Sequence, residues 1–333
     1  MKVRLNVMLR VASSVVALMA GISVASAQET HSWRHGIVQA KSDAGIVMMA
    51  KHKGFDKDQH LDLDIVQFTG DSLALKALIA GEIDSYDGSP GGPMLAASHG
   101  ADVKIVGCYW PGLTYGIYSK DNLKSVQDLK GRTLAISGPG SLPDLLARGI
   151  LSNAGITPSE VKFAQMGSDT DRIKAITAGV VDAGAASLEF INYAKTLHIK
   201  LLVNAHDAVP QFIRFCTMTS SNVLKTRKDD LAHYLAAQME GTRYALDHRD
   251  ETLALTRETT KAPASDPRAA DLFDQVVKIN AVVPEMPIPV DRLAWMQDLL
   301  MKTGNLKVKQ DLTKLVDNSA RVEALGFVHK QKH

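Results

Sequence analysis

The chain is short of nearly everything that would mark a catalyst. It has only two cysteines, Cys108 and Cys216, separated widely and without the spacing of a metal or redox motif. No Gly-x-Ser-x-Gly elbow, Walker loop or dinucleotide fingerprint occurs, and the 11 histidines are scattered enough to read as solvated surface. Charge of one sign is lacking too: 38 Lys and Arg are interleaved with 36 Asp and Glu, which excludes a surface built for nucleic acid. Aromatics are few, at 5% of residues, so Tyr86, Tyr109, Trp110 and Tyr115 stand out where strands end or where the chain changes pattern. Long apolar runs are confined to the start. Lys2, Arg4 and Arg10 precede an apolar stretch from Val11 to Val24 and a small-x-small site, Ala25-Ser26-Ala27. This reads as a signal peptide over residues 1–27, too short to span a bilayer and followed by no cysteine for a lipid, so an exported, periplasmic protein is expected to begin near Gln28.

What the chain does have is an internal echo. Residues 70–84 align without a gap on residues 168–182, with six identities: Asp71/Asp169, Lys76/Lys174, Ala77/Ala175, Ala80/Ala178, Gly81/Gly179 and Asp84/Asp182. Each copy predicts a capped helix, a glycine stop and the start of a strand, with Asp71 and Asp169 read chiefly as the caps. Around the copies the order also repeats. Strands at Gly36–Gln39, Leu63–Phe68, Ile83–Tyr86 and Val103–Val106 alternate with helical stretches, the first from Ala44 to Lys53. A second series runs through Arg132–Ile136, the helix Leu142–Asn153, Val161–Met166 and Leu201–Asn204. Strands and helices so spaced predict parallel pairing through crossovers. Phe212 to Ser220 reads as a strand returning to the first unit, and from Thr226 onward the pattern is helical, over Lys228–Leu246, Glu251–Thr259, Pro267–Ile279 and Val290–Thr303.

The expected fold is therefore α/β with two lobes, each a mainly parallel sheet flanked by helices, and a ligand cleft between them. Lobe I takes residues 28–116 and 217–330, and lobe II takes 117–216. In such sheets ligands bind beyond the carboxyl ends of the strands, where helix N-termini present free N–H groups. The loops at those ends supply the candidate binding residues: Lys41, Ser42, Asp43, Asp71, Ser72, Gly88 and Ser89 in lobe I, and Gly138, Gly140, Ser141, Ser168, Thr170, Ser187 and Glu189 in lobe II, with Tyr109 and Trp110 as stacking surfaces. The run Ser137-Gly138-Pro139-Gly140-Ser141 is the strongest of them for a carboxylate, sulfonate or phosphate oxygen, with a plain helix cap at Ser141 as the competing reading. Charge near the cleft is mixed, with Lys41 basic and Asp43, Asp87 and Glu189 acidic, so ligand charge stays open. No cofactor or metal is expected. Whether Cys108 and Cys216 form a disulfide or remain two buried thiols is open as well.

The runs Gly81-Glu82-Ile83-Asp84, Ser125-Val126-Gln127-Asp128-Leu129-Lys130-Gly131-Arg132-Thr133-Leu134-Ala135-Ile136, Asn153-Ala154-Gly155-Ile156-Thr157-Pro158 and Ala178-Gly179-Val180-Val181-Asp182-Ala183, with the tail Asp311-Leu312 to Leu315-Val316-Asp317, resemble the nitrate, sulfonate and taurine class of periplasmic solute-binding proteins, part of the thiamine-pyrimidine-precursor-binding superfamily. The resemblance implies a type II periplasmic-binding-protein fold and a monomeric receptor. It implies capture of a small organic solute, anionic or aromatic in some relatives, between two lobes, and delivery to the membrane permease of an ABC importer. The alternatives are a ligand-sensing subunit for a signalling partner and a pyrimidine-precursor-synthase-like enzyme. The second is disfavoured because this chain lacks the cysteine-rich motif such enzymes use.

Overall fold

The computed structural model describes residues 29–330. The signal-peptide reading of residues 1–27 lies outside them. Ten strands form two five-stranded sheets. The first holds β1 (His31–Val38), β2 (Leu61–Phe68), β3 (Ser85–Gly88), β4 (Lys104–Trp110) and β10 (Phe215–Thr219) in the order β2-β1-β3-β10-β4. The second holds β5 (Tyr115–Lys120), β6 (Thr133–Ile136), β7 (Lys162–Gln165), β8 (Ala183–Ser187) and β9 (Ile199–Asn204) in the order β7-β6-β8-β5-β9. The two orders are the same pattern. In each sheet three parallel strands are followed by one antiparallel strand, β10 or β5, and that strand is the one arriving from the other lobe. Both strands of the exchange therefore sit inside a sheet, so the sheets are mixed rather than wholly parallel.

The echo is structural. Its copies are nine-residue helices, Asp71–Ile79 after β2 and Asp169–Thr177 after β7, at matched places in the two sheets. Gly81 and Gly179 follow with φ of 74° and 76°, a left-handed turn that glycine adopts without a Cβ clash. The capping expected of Asp71 and Asp169 is not found. The caps are Gly70, with no side chain to offer, and Ser168, whose hydroxyl accepts from the Asp171 N–H. Both aspartates are instead the first helical residues, which frees their carboxylates to turn toward the seam.

Several boundaries also move. The helix expected from Ala44 to Lys53 is broken at Met48 into Ala44–Val47 and Met49–Lys53, and a C-terminal helix, Ser319–Lys330, packs on the long helix Lys228–Asp247. His329 falls within that helix. The helix Leu142–Asn153 is as expected, with Ser141 as its cap.

Cys108 on β4 and Cys216 on β10 are joined in a disulfide between neighbouring strands. This bond ties the strand that leaves for lobe II to the strand that returns. Two crossings connect the lobes, residues 111–114 and 205–214. Arg292 fastens them to each other, donating to the carbonyls of Pro111 at 2.6 Å, Phe212 at 2.8 Å and Gln211 at 3.2 Å. Its helix, Val290–Lys302, lies against both Gly91–Ser98 of the first lobe and Leu142–Asn153 of the second. One core runs continuously through the facing sides of the lobes, from Leu78 and Met94 through Ile117 and Leu146 to Leu293. Separate cores back each sheet, around Trp33, Tyr234 and Leu235 on one and around Ile173, Ile176 and Phe190 on the other.

Candidate functional site

The carboxyl ends of the two sheets meet at a seam rich in buried charge. From the lobe I loop after β1, the Lys41 ammonium reaches across to the Asp169 carboxylate at 2.5 Å. Asp169 also accepts from the Tyr115 hydroxyl at 3.0 Å and is paired with Arg172 one helical turn on. Burial opposes ionisation of Asp169, but Lys41 and Arg172 outweigh it and hold the carboxyl below its usual range. Burial likewise opposes the Lys41 charge, and the facing Asp169, Tyr115 and Glu189 overcome it, so the ammonium stays protonated.

On the floor of the seam lies Arg214, which ends the second crossing. Its guanidinium carbon sits 4.0 Å from the Trp110 ring centroid and 4.5 Å from that of Phe215, and Nη2 donates to Asp43 at 2.5 Å. The side chain is 3% exposed, yet Nε and Nη1 have no hydrogen-bond partner among the described residues. Unpartnered buried polar atoms are rare and costly in a folded protein. Here they gather: Asp71 Oδ1, Ser89 Oγ, Tyr86 OH, Tyr109 OH, Thr114 Oγ1 and Trp110 Nε1 share the condition. Burial pushes the Asp71 carboxyl up to about 6, with partial relief from Lys41, Arg214 and the Ser89 N–H. Burial also pushes Glu189 up to about 7, although Lys41 and the Ser42 hydroxyl draw it down. Gly88 is required beside Asp71, since a Cβ there would stand 2.8 Å from Asp71 Oδ1.

A cavity of about 320 Å³ opens between the lobes, lined by Gln39 to Ser42, Ser168 to Thr170, Glu189 and, from the C-terminal helices, Thr256, Arg257 and Arg268. Through Thr170, Asp266 and Arg268 it continues into a more apolar groove of about 630 Å³ walled by Ile173, Phe190, Tyr193, Leu197, Pro263 and Pro267. Lys41, Asp169 and Glu189 belong both to the cavity and to the buried charge cluster.

The candidate residues separate accordingly. Lys41, Ser42, Asp43, Asp71, Gly88, Ser89, Tyr109, Trp110 and Glu189 converge on the seam. Thr170 lines the cavity from an exposed position, Ser168 is spent on its cap, and Ser72 is exposed. Ser187 is buried and holds the turn into Glu189, accepting from its N–H at 3.5 Å. The Ser137–Ser141 loop is largely satisfied by its own chain: the Gly140 N–H donates to the Asp144 carboxylate at 2.8 Å, and the Ser141 hydroxyl donates to the Gly138 carbonyl at 2.6 Å. Gly140 lies 3.6 Å, measured from a Cβ built on it, from Leu95 of the other lobe. Sequence reading missed Asp169, Arg172, Arg214, Arg257 and Thr114. The aspartate reads as a helix cap, and a lone arginine inside an apparent strand carries no local signal.

The histidines do not make a metal centre. His31 and His35 stand four residues apart, but on a strand rather than a helix, which spreads them along the chain. His35 is not surface as expected: it is buried, with Nδ1 at 2.8 Å from Ser85 Oγ and Nε2 at 3.0 Å from Tyr234 OH and 3.2 Å from Asp87. Among the described residues no cluster of His, Cys, Asp and Glu could hold a metal ion, and no helix is long and apolar enough to cross a membrane.

Comparison with known proteins agrees with this architecture. A protein of Brucella abortus (strain 2308), named only as a binding protein, is 30% identical over 150 residues, which is 45% of this chain and 46% of its own length, so the match spans about half of that relative. A solved structure from Bordetella bronchiseptica RB50 superposes with a TM-score of 0.75 at 19% identity, over 91% of this chain and 98% of that one. The alkanesulfonate-binding protein of Xanthomonas axonopodis pv. citri, solved with MOPS bound, gives 0.73 at 19% identity over 88% and 100%. At such identities these likenesses establish the fold, the two-lobed periplasmic-binding-protein architecture. The profile described as NMT1/THI5 like matches residues 41–252, well over half of the sequence, and the resemblance to nitrate, sulfonate and taurine receptors is met at this level. The chain belongs to the NMT1/THI5-like family.

Proposed function

We propose that this protein is an exported solute receptor. It takes a small organic molecule into the seam between its lobes and presents it to the permease of an ABC importer in the membrane. The observation that carries this reading is the set of buried polar atoms without partners, on Asp71, Ser89, Thr114 and Arg214, at the meeting of two matched lobes. A core that needed only stability would satisfy or remove them, whereas a binding site leaves them for its ligand. The binding function of the Brucella relative and the alkanesulfonate ligand of the Xanthomonas protein support the same class. Lys41, Ser42, Asp43, Asp71, Ser89, Trp110 and Glu189 are the contacts we assign from the earlier set, and Arg214 and Thr114 are added. The lobes meet as units of residues 28–116 with 217–330 and of 117–216, adjusted so that β5 belongs to the second from Tyr115 and β10 to the first from Phe215. The receptor works as a monomer, in the periplasm, and releases its solute unchanged.

Native mass spectrometry of the protein from its own host, followed by thermal shift with the recovered compound, tests this. A bound small molecule that raises Tm and leaves unaltered is expected. A compound converted on incubation would make the protein an enzyme, and failure of any small molecule to bind would end the receptor reading.

A further inference from the structure

At the end of lobe I away from the seam lies a concavity that the receptor reading does not use. β4 begins there at Lys104 and reaches the seam only at Trp110, about 20 Å along an extended strand. After the helix Val290–Lys302 the chain returns past this end as a strap. The Ile105 N–H donates to the Leu315 carbonyl at 2.8 Å and the Asp317 N–H to the Ile105 carbonyl at 3.0 Å, so the strap covers the outer edge of β4. Gln310 anchors its middle. The Gln310 N–H donates to Oε1 of the buried Gln297 at 2.8 Å, its carbonyl accepts from Gln297 Nε2 at 3.2 Å, and its own side-chain amide donates to the Met94 carbonyl at 2.9 Å. Between the strap and the turn into β4 a cavity of about 630 Å³ is left.

The lining of this cavity is unbalanced. Lys104, Lys307, Lys309 and Lys314 share it with Asp102 and Asp311, four cations against two acids. The acids are also engaged: Asp102 accepts from the Ser221 and Asn222 N–H groups at 2.9 and 3.4 Å, and Asp311 accepts from the Thr313 N–H at 3.0 Å and hydroxyl at 2.6 Å. Of the four lysines only Lys309 has a carboxylate partner among the described residues, Asp298 at 2.8 Å. Lys104 donates to the Lys314 carbonyl, which brings these two residues together with neither ammonium paired. The N–H groups of Lys307, Val308 and Lys309 likewise have no acceptor among the described residues. Lysines often keep an open strand edge from pairing with another chain, but here the strap already covers β4. The concavity thus offers donors and positive charge while its carboxylates are held elsewhere. Ala97, Ala101 and Val308, the last 73% exposed, add an apolar wall.

We propose that this concavity is a second binding site, separate from the seam, for a small organic anion. A phosphate or carboxylate head is held by Lys104, Lys307 and Lys314 and by the N–H groups of the strap, and a short apolar body lies against Ala97, Ala101 and Val308. A phosphate head matches the surplus of positive charge. Inorganic phosphate binds more weakly, because it leaves the apolar wall in water.

The test is amide hydrogen exchange of the mature protein, at short labelling times, with hexyl phosphate, inorganic phosphate, hexanol or vesicles of phosphatidylglycerol. Residues 307–309 exchange fast in the free protein because their N–H groups are unbonded, and hexyl phosphate should slow them saturably. Inorganic phosphate should do so only at higher concentration and hexanol not at all, and added salt should weaken both anions. Lys307→Gln combined with Lys314→Gln should raise the hexyl phosphate concentration required by roughly tenfold or more, since two of the three ammonium contacts are lost. Arg214→Gln, which alters the seam, should leave that concentration unchanged and so separates the two sites. Circular dichroism checks that each variant is folded. No slowing of the strap by hexyl phosphate, slowing that survives the double substitution, or equal slowing by hexanol overturns the proposal. Protection by the vesicles without protection by hexyl phosphate would make the patch a membrane contact and overturns the small-anion assignment too.

Discussion

Asp71 shows what a binding residue costs the fold that carries it. Its carboxyl is pushed up to about 6 by burial, which outweighs the help of Lys41 and Arg214, and the Tyr86 ring stands close by with its own hydroxyl unpartnered. A carboxyl raised in the folded state favours folding fully only at pH values below its unfolded value, near 4, and that contribution is lost as pH rises through 6. At pH 8 the empty protein therefore holds an ionised group that it would rather release to water. Asp71→Asn removes that penalty, so the variant should be more stable than wild type at pH 8 by about 2 kcal/mol, after discounting for partial exposure, and nearly equal to it at pH 4. Calorimetric melts of the ligand-free proteins at the two pH values decide this. A difference that does not change with pH would mean that Asp71 is not the strained group. Asp169 works in the other direction, since its lowered carboxyl contributes stability at neutral pH that is lost in acid. Two residues at one repeated position are thus split between function and stability.

At the scale of elements, the repeat was legible because helix stops are local. Ala-Gly followed, one residue further on, by an apolar residue and Asp is enough to mark the end of Asp71–Ile79 and of Asp169–Thr177, and the left-handed glycines confirm why. What was not legible is which way a first-turn aspartate points. Ser168 and Asp171 form a reciprocal cap, with the Ser168 hydroxyl accepting from the Asp171 N–H at 3.2 Å and the Asp171 carboxylate accepting from the Ser168 N–H at 3.1 Å. That cap needs no help from Asp169. Gly70 provides none, and its extended backbone leaves a Cβ nothing within 4 Å to meet. Opposite effects follow for the two caps. Ser168→Ala should lose about 1 kcal/mol, while Gly70→Ser should gain roughly 0.5 to 1 kcal/mol from a new cap and a less flexible unfolded chain. Urea midpoints measure both, and a loss in Gly70→Ser would show that the first copy is strained rather than merely uncapped. Arg214 escaped sequence reading for a different reason. Its partners Asp43, Trp110 and Tyr115 lie on other segments, and only the crossing of the chain between lobes brings them together. Likewise the break at Met48 and the helix Ser319–Lys330 depend on packing against Lys228–Asp247, which no local pattern states.

For the whole molecule the question is what holds two lobes together while a ligand must still enter. The disulfide Cys108–Cys216 and the Arg292 clasp fix the roots of both crossings within lobe I, so motion is confined to the few residues between the sheets. Across the mouth the principal ionic contact is Lys41 to Asp169, with Asn192 to Asp271 at 2.8 Å farther out. Closure without ligand is then a balance in which this half-buried pair, together with the shared apolar core, opposes the unmet groups on the floor. Lys41→Met removes the cross-lobe cation but leaves Arg172 beside Asp169, so the carboxylate is not stranded outright. Because opening the seam would hydrate Asp169, the variant should relax by separating the lobes rather than by unfolding. The expected result in ligand-free solution is a larger radius of gyration by small-angle X-ray scattering, with only a modest fall in Tm. Added ligand should leave the wild-type curve compact and restore compactness in the variant, at higher concentration there, because the floor contacts to Arg214 and Asp71 are intact. If Lys41→Met scatters as wild type does without ligand, the bridge is not what closes the lobes, and closure must come from the apolar seam around Leu146 and Leu293.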